Sequence, residues 1–147
     1  MRTLIPFLAC LCLSGCALNF TRPIEVEHQV IELQSGVIYE DELTGIGEPA
    51  VLGDELEVHY GAWLDDGQQV DSSVDRGIPI RFVLGAAPIA GWNEALIGMS
   101  AGGKRRLTVP PTLAYGEAGI PGLVPPNAVL SFMIELLSIN SEEPTPE

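Results

Sequence analysis

Few residues in this chain could make or break a covalent bond. Its two histidines, His28 and His59, stand alone, and neither belongs to a cluster of ligand-type side chains that would hold a metal. Three cysteines, Cys10, Cys12 and Cys16, crowd into one short stretch and cannot make a disulfide framework. No paired acid and base accompany them. The candidates are instead aromatic and apolar residues beside a single carboxylate. Trp92 follows Gly91, and taken alone it suits a core as readily as a site. Tyr115 stands in a loop rich in glycine and proline, where a bulky ring has little structural reason to be, and this points to a function. Asp71 heads Asp71-Ser72-Ser73, which is helix-capping chemistry, and a capping Asp can also border a pocket.

These residues need a scaffold. Strand-like alternation runs over 55–64, with Leu56, Val58, Tyr60, Ala62 and Leu64 on one face and Glu55, Glu57 and His59 on the other. His59 is thus read as solvated, and Tyr60 suits either a core or a pocket. Asp65-Asp66-Gly67 turns the chain. Ile80, Phe82 and Leu84 alternate with Arg81, and Leu130, Phe132, Ile134 and Leu136 line one face of a last strand. Residues 104–109 alternate more weakly, with Leu107 and Val109 inward. In the basic cluster Lys104-Arg105-Arg106 alternation puts Lys104 and Arg106 outward, and the cluster is read as a solvated strand face. One short helix is expected over 90–97, because Trp92, Leu96 and Met99 fall at helical spacing and Gly98 can stop it. Several strands and one helix predict an α+β domain with a mostly antiparallel sheet. The stretch 110–127 reads as a long loop, and such loops inside compact domains are usually functional.

The chain has 147 residues, room for one ordinary domain. It carries 7 Lys+Arg against 20 Asp+Glu, a formal charge of −13, which excludes the basic face of a nucleic-acid binder. With 46% hydrophobic residues it is not a disordered chain, and no glycine period marks a collagen. Residues 141–147 have no apolar side chain and are expected to form a disordered acidic tail.

The first residues read as an address. A basic Arg2 is followed by an apolar run over Leu4–Leu13, too short to span a bilayer, and then by small residues. Leu13-Ser14-Gly15-Cys16 resembles the lipobox of bacterial lipoproteins. The resemblance implies a signal peptide over 1–15, a diacylglyceryl thioether on Cys16 and a lipidated tether over 16–34, with some extended structure at 24–33. Acyl chains hold to a membrane at about 0.8 kcal/mol per buried CH₂. Ala17 stands where an Asp would imply inner-membrane retention, so an outer-membrane anchor facing the periplasm is expected. A monomer is expected.

Four segments then line up in order: Val58-His59-Tyr60-Gly61; Asp65 to Ser73, reading Asp-Asp-Gly-Gln-Gln-Val-Asp-Ser-Ser; Gly91-Trp92-Asn93-Glu94-Ala95-Leu96; and Ala114-Tyr115-Gly116 with Ile120 to Asn127. Over residues 37–139 this order resembles the FKBP-type peptidyl-prolyl cis-trans isomerases. The resemblance implies a five- or six-stranded antiparallel sheet curled around one short helix, a domain over 35–140, and X–Pro isomerisation without a metal or other cofactor. It implies proline-containing segments of exported proteins as partners, and a proline-binding module with weak turnover is the alternative.

The resemblance also implies roles. Trp92 matches the pocket floor, with Tyr60, Phe82 and Phe132 as apolar walls or their support. Asp71 matches the pocket carboxylate, near Tyr60 and Arg76. Ile89 matches a backbone N–H donor to a substrate carbonyl, although a gap one residue shorter than usual leaves Ala90 open. Tyr115 matches a hydroxyl donor, and Ile120, Leu123 and Val124 match a flap. Val70 and Ile80 stand where aromatic residues are common, which predicts a wider pocket.

Overall fold

The computed structural model describes residues 28–141. The expected signal peptide, the Cys16 anchor, most of the expected tether and nearly all of the acidic tail lie outside these residues. Seven strands form one antiparallel sheet: β1 (Val30–Glu32), β2 (Ile38–Leu43), β3 (Glu55–Leu64), β4 (Gln69–Ser72), β5 (Ile80–Val83), β6 (Lys104–Val109) and β7 (Leu130–Asn140). Their order is β1-β2-β6-β7-β3-β4, and β5 also pairs with β3. The count exceeds six because β1 is a three-residue edge strand within the segment read as tether, and because β4 and β5 each cover part of β3.

The long central pair is β3 and β7, running from Glu55↔Asn140 to Leu64↔Leu130 with one register shift between Glu57 and Val58. The alternation expected in both strands is present. Leu56, Val58, Ala62, Leu130, Phe132, Ile134 and Leu136 are buried on one face, together with Leu107 and Val109 from β6. This inner face holds one hydrophobic core.

Against it lies α2 (Trp92–Ala95), a single turn where the spacing predicted a helix over 90–97. Hydrogen bonds from Asn93 N–H to the Ala90 carbonyl and from Met99 N–H to the Leu96 carbonyl continue it as three-residue turns. Trp92, Leu96 and Met99 are all buried, as their spacing requires. Gly98, at φ +87°, ends the segment in a conformation that disfavours side chains.

A second helical turn, α1 (Ser73–Arg76), was not anticipated. Its cap is Ser72, whose hydroxyl accepts from the Asp75 N–H at 3.1 Å, so the capping role read for Asp71 falls one residue later.

Candidate active site

The site is built from the middle of the sheet outward. Trp92 is 1% exposed and is enclosed by three rings. Tyr60 and Phe132, from the paired strands β3 and β7, each meet it edge-on with centroids 5.3 Å away, and Phe82 from β5 lies 5.7 Å away. Edge-to-face pairs of this kind add about 0.5–1.5 kcal/mol each beyond area burial. The segment before α2 is held by Asn93, whose side-chain oxygen accepts from the Gly85 and Ala87 N–H groups at 2.9 and 2.8 Å. Gly91 lets α2 close against β6: a Cβ there would stand 2.7 Å from Val109 Cγ1.

Over this floor opens a cleft lined by Tyr60, Ala62, Val70, Asp71, Pro88, Ile89, Trp92, Tyr115, Ile120, Leu123, Val124 and Phe132. Ten of the expected site residues therefore meet in one place. Three do not line it. Phe82 braces Trp92 from the side, Ile80 packs partly buried against the core, and Arg76 stands at the rim. Ala62 and Pro88 line the cleft and were not singled out from the sequence. Ala62 could have been found, since it follows Tyr60 by two on the same strand face. Pro88 has no N–H to offer a substrate, but it adds to the lining of the cleft.

The polar edge is a three-residue network. The Tyr60 hydroxyl donates to Asp71 Oδ2, and Arg76 Nη1 donates to Asp71 Oδ1. Arg76 Nη2 also donates to the Tyr60 hydroxyl at 3.1 Å, and the Ser72 N–H donates to Asp71 Oδ1 at 2.8 Å. Burial pushes the Asp71 carboxyl up, but hydrogen bonds from Tyr60 and Arg76, with the guanidinium charge, outweigh it and hold the carboxyl below its ordinary value. Burial, followed by the bond to Asp71, raises the Tyr60 phenol. Burial, followed by the Asp71 charge, raises the Tyr115 phenol. Near neutral pH the cleft thus carries one ionised carboxylate, already satisfied, and two neutral phenols.

The long loop closes the other side. After a 3₁₀ turn over Pro111–Leu113 the chain reaches Tyr115, which is 36% exposed. Ile120 and Val124 then bridge each other through two 2.8 Å backbone hydrogen bonds. Gly119, at φ +56°, makes this pinch: a Cβ would stand 2.3 Å from the Val124 carbonyl oxygen. Val124 is buried, whereas Leu123 is exposed at the lip. On the opposite wall, the Ile89 and Ala90 N–H groups donate to no acceptor among the described residues. Ile89 lines the cleft, whereas Ala90 is exposed and does not. Broader hollows around Trp63 lie on the outer face of the sheet, where Arg106 and Lys104 are already paired with Glu42 and Glu135.

Among the described residues there is no group of three or more His, Cys, Asp or Glu that could hold a metal, and no helix long and apolar enough to cross a membrane.

The sequence matches the family model described as FKBP-type peptidyl-prolyl cis-trans isomerase over residues 47–137. It is 47% identical over 105 residues to an FK506-binding protein of Neisseria meningitidis, covering 71% of this chain and 96% of that protein. It is 43% identical over 112 residues to the peptidyl-prolyl cis-trans isomerase FPR2 of Saccharomyces cerevisiae, covering 75% and 83% respectively. Among solved structures it is similar to FkpA from Escherichia coli, with a TM-score of 0.70 and 40% identity. That match covers 78% of this chain and 53% of FkpA, so the chain spans about half of that relative.

Proposed function

The chain belongs to the FKBP-type peptidyl-prolyl cis-trans isomerase family, and on that premise we propose that the cleft over Trp92 accelerates X–Pro isomerisation in exported and envelope polypeptides by excluding water from the prolyl amide. The observation that carries this reading is the enclosure of Trp92 by Tyr60, Phe82 and Phe132 beneath a cleft whose one carboxylate is already hydrogen-bonded to Tyr60 and paired with Arg76.

The amide barrier of about 18–20 kcal/mol comes from resonance that places charge on oxygen and nitrogen. A planar amide is better solvated by water than a twisted one. Moving the prolyl ring onto the Trp92 face removes that water and favours the twisted amide, which has lost the charge separation. Each 1.36 kcal/mol of differential binding is worth about tenfold in rate. The Ile89 N–H and the Tyr115 hydroxyl are free to hold the carbonyls that flank the prolyl bond. Asp71, fixed by Tyr60 and Arg76, lies beside the cleft without an acidic proton to give. No covalent bond to the substrate is made, which accords with a site that has no nucleophile and base pair.

The client class follows from the amino-terminal address. A signal over 1–15 and lipidation of Cys16 would tether the domain to the outer membrane on its periplasmic side, among newly exported chains whose X–Pro bonds are still isomerising. A monomer suffices for this work.

The test is NMR exchange on short Xaa–Pro peptides with the full chain in detergent. Acceleration should be clear, and Asp71→Leu and Trp92→Leu should each reduce it by at least about tenfold. A folded chain that leaves the exchange rate unchanged would defeat the catalytic reading. If such a chain still bound the peptides, it would be a proline-binding module.

A further inference from the structure

The cluster Lys104-Arg105-Arg106 was read as a solvated strand face, and for Lys104 and Arg106 it is one. Arg105 is different. It is 5% exposed and points inward from β6. Its Nε donates to Asp41 Oδ1 at 2.6 Å and its Nη2 to Asp41 Oδ2 at 2.9 Å, a bidentate pair across the β2–β6 register. Its guanidinium lies 4.2 Å from the centroid of the Tyr39 ring. The remaining donor, Nη1, reaches the Ala95 carbonyl at 2.6 Å and the Ile97 carbonyl at 3.2 Å.

Those carbonyls are the exit of α2. The last carbonyls of any helix have no partner within it, and a one-turn helix consists almost entirely of ends. A cation at this end also opposes the negative pole of the turn. Ala95 closes the turn that Trp92 opens, about 4.5 Å along the axis. Arg105 therefore clamps the far end of the element that carries the cleft floor, and Asp41 and Tyr39 fix the clamp to the sheet.

We infer that Arg105, oriented by Asp41 and Tyr39, is a positioning residue for the isomerase reaction: it sets the depth and tilt of the Trp92 ring by holding the exit of α2. The inference rests on the reading of the Trp92 cleft as the reaction site. Arg105 touches no residue lining that cleft through its polar contacts, so its effect on turnover runs through α2.

The molecule contains its own control. It has two tryptophans, and Trp63 lies by the hollows on the outer face of the sheet. Arg105→Met and Arg105→Lys are compared with the unchanged full chain for peptide exchange rate and for the two indole N–H resonances of the ¹⁵N-labelled protein. For Arg105→Met, kcat/KM should fall by about tenfold or more, with the loss chiefly in kcat, because a misplaced floor disturbs the bound geometry. The Trp92 indole resonance should shift or broaden while the Trp63 resonance stays in place. Arg105→Lys, which keeps one cationic donor for the Ala95 carbonyl, should recover part of the rate.

A folded Arg105→Met with unchanged exchange rate and unchanged Trp92 resonance would overturn the inference. So would loss of rate in which both resonances move together, since that marks general destabilisation. If Arg105→Met fails to fold, Arg105→Lys is judged by the same two readouts. Failure of the unchanged chain to accelerate exchange would instead overturn the reading of the cleft, while the Trp92 resonance would still report whether Arg105 positions that ring.

Discussion

Asp71 shows how one side chain can belong to a pocket without doing acid–base work. Its carboxyl is held below the ordinary value by Tyr60 and Arg76 against the opposing effect of burial. A carboxylate with a lowered folded-state pKa contributes stability above its unfolded value, and that contribution is lost as pH falls through the folded value. Asp71→Asn should therefore flatten the acid limb of stability below about pH 4, measured as urea midpoints across pH. Tyr60 and Tyr115 run the other way. Their raised phenols contribute stability that is complete below their unfolded value and declines as pH rises through the folded one. Tyr60→Phe should remove part of that alkaline decline and, by deleting one donor to Asp71, should raise the carboxyl toward its ordinary value. A carboxyl titration by ¹³C NMR that did not move in Tyr60→Phe would contradict the network. Trp92 is the residue whose loss should cost most. Truncation of a buried Trp to Ala typically removes about 3–5 kcal/mol, so Trp92→Leu is the gentler probe of turnover.

At the scale of elements, the site depends on two tight approaches that only glycine permits. Gly119 holds a positive φ and its pinch point lies against the Val124 carbonyl. Gly119→Ala should open the Ile120–Val124 bridge and lower peptide turnover several-fold, with a thermal midpoint only a few degrees lower because the loop is peripheral to the core. Turnover equal to that of the unchanged chain would show that the bridge does not shape the cleft. Gly91 is the second approach, between α2 and Val109 of β6. The strands were legible because a half-buried sheet imposes a two-residue period, and β3 and β7 carry it over 10 and 11 residues. The helices were less so. A single turn offers three or four residues of pattern, so α2 was expected to be too long and α1 was missed, although Ser72 carried a capping signal.

For the whole molecule, the described domain reads as one sheet curled over one turn of helix, with its cleft set where β3, β4, the segment before α2 and the 110–127 loop converge. Attachment to a membrane is a separate property, proposed from Cys16. Cys16→Ser should move the protein from the membrane to the soluble fraction of fractionated cells while leaving peptide turnover per molecule unchanged. Retention in the membrane fraction would count against the lipid anchor.

What the sequence determined by itself was the face each strand buries, the acidic balance that excludes a nucleic-acid surface, and the ordered motifs that bring Tyr60, Asp71, Trp92, Tyr115 and Phe132 into one family pattern. These are legible because strand periodicity and motif spacing are local properties of the chain. Tertiary structure decided what local spacing cannot carry. It left Ile80 and Phe82 out of the cleft lining, admitted Ala62 and Pro88, and put Ile89 but not Ala90 on the cleft wall. It also separated Arg105 from its basic neighbours. Alternation along β6 can say that Arg105 points inward, but only the packing of β2 and α2 against that strand supplies Asp41, Tyr39 and the Ala95 and Ile97 carbonyls. Those partners are what make a buried guanidinium tolerable.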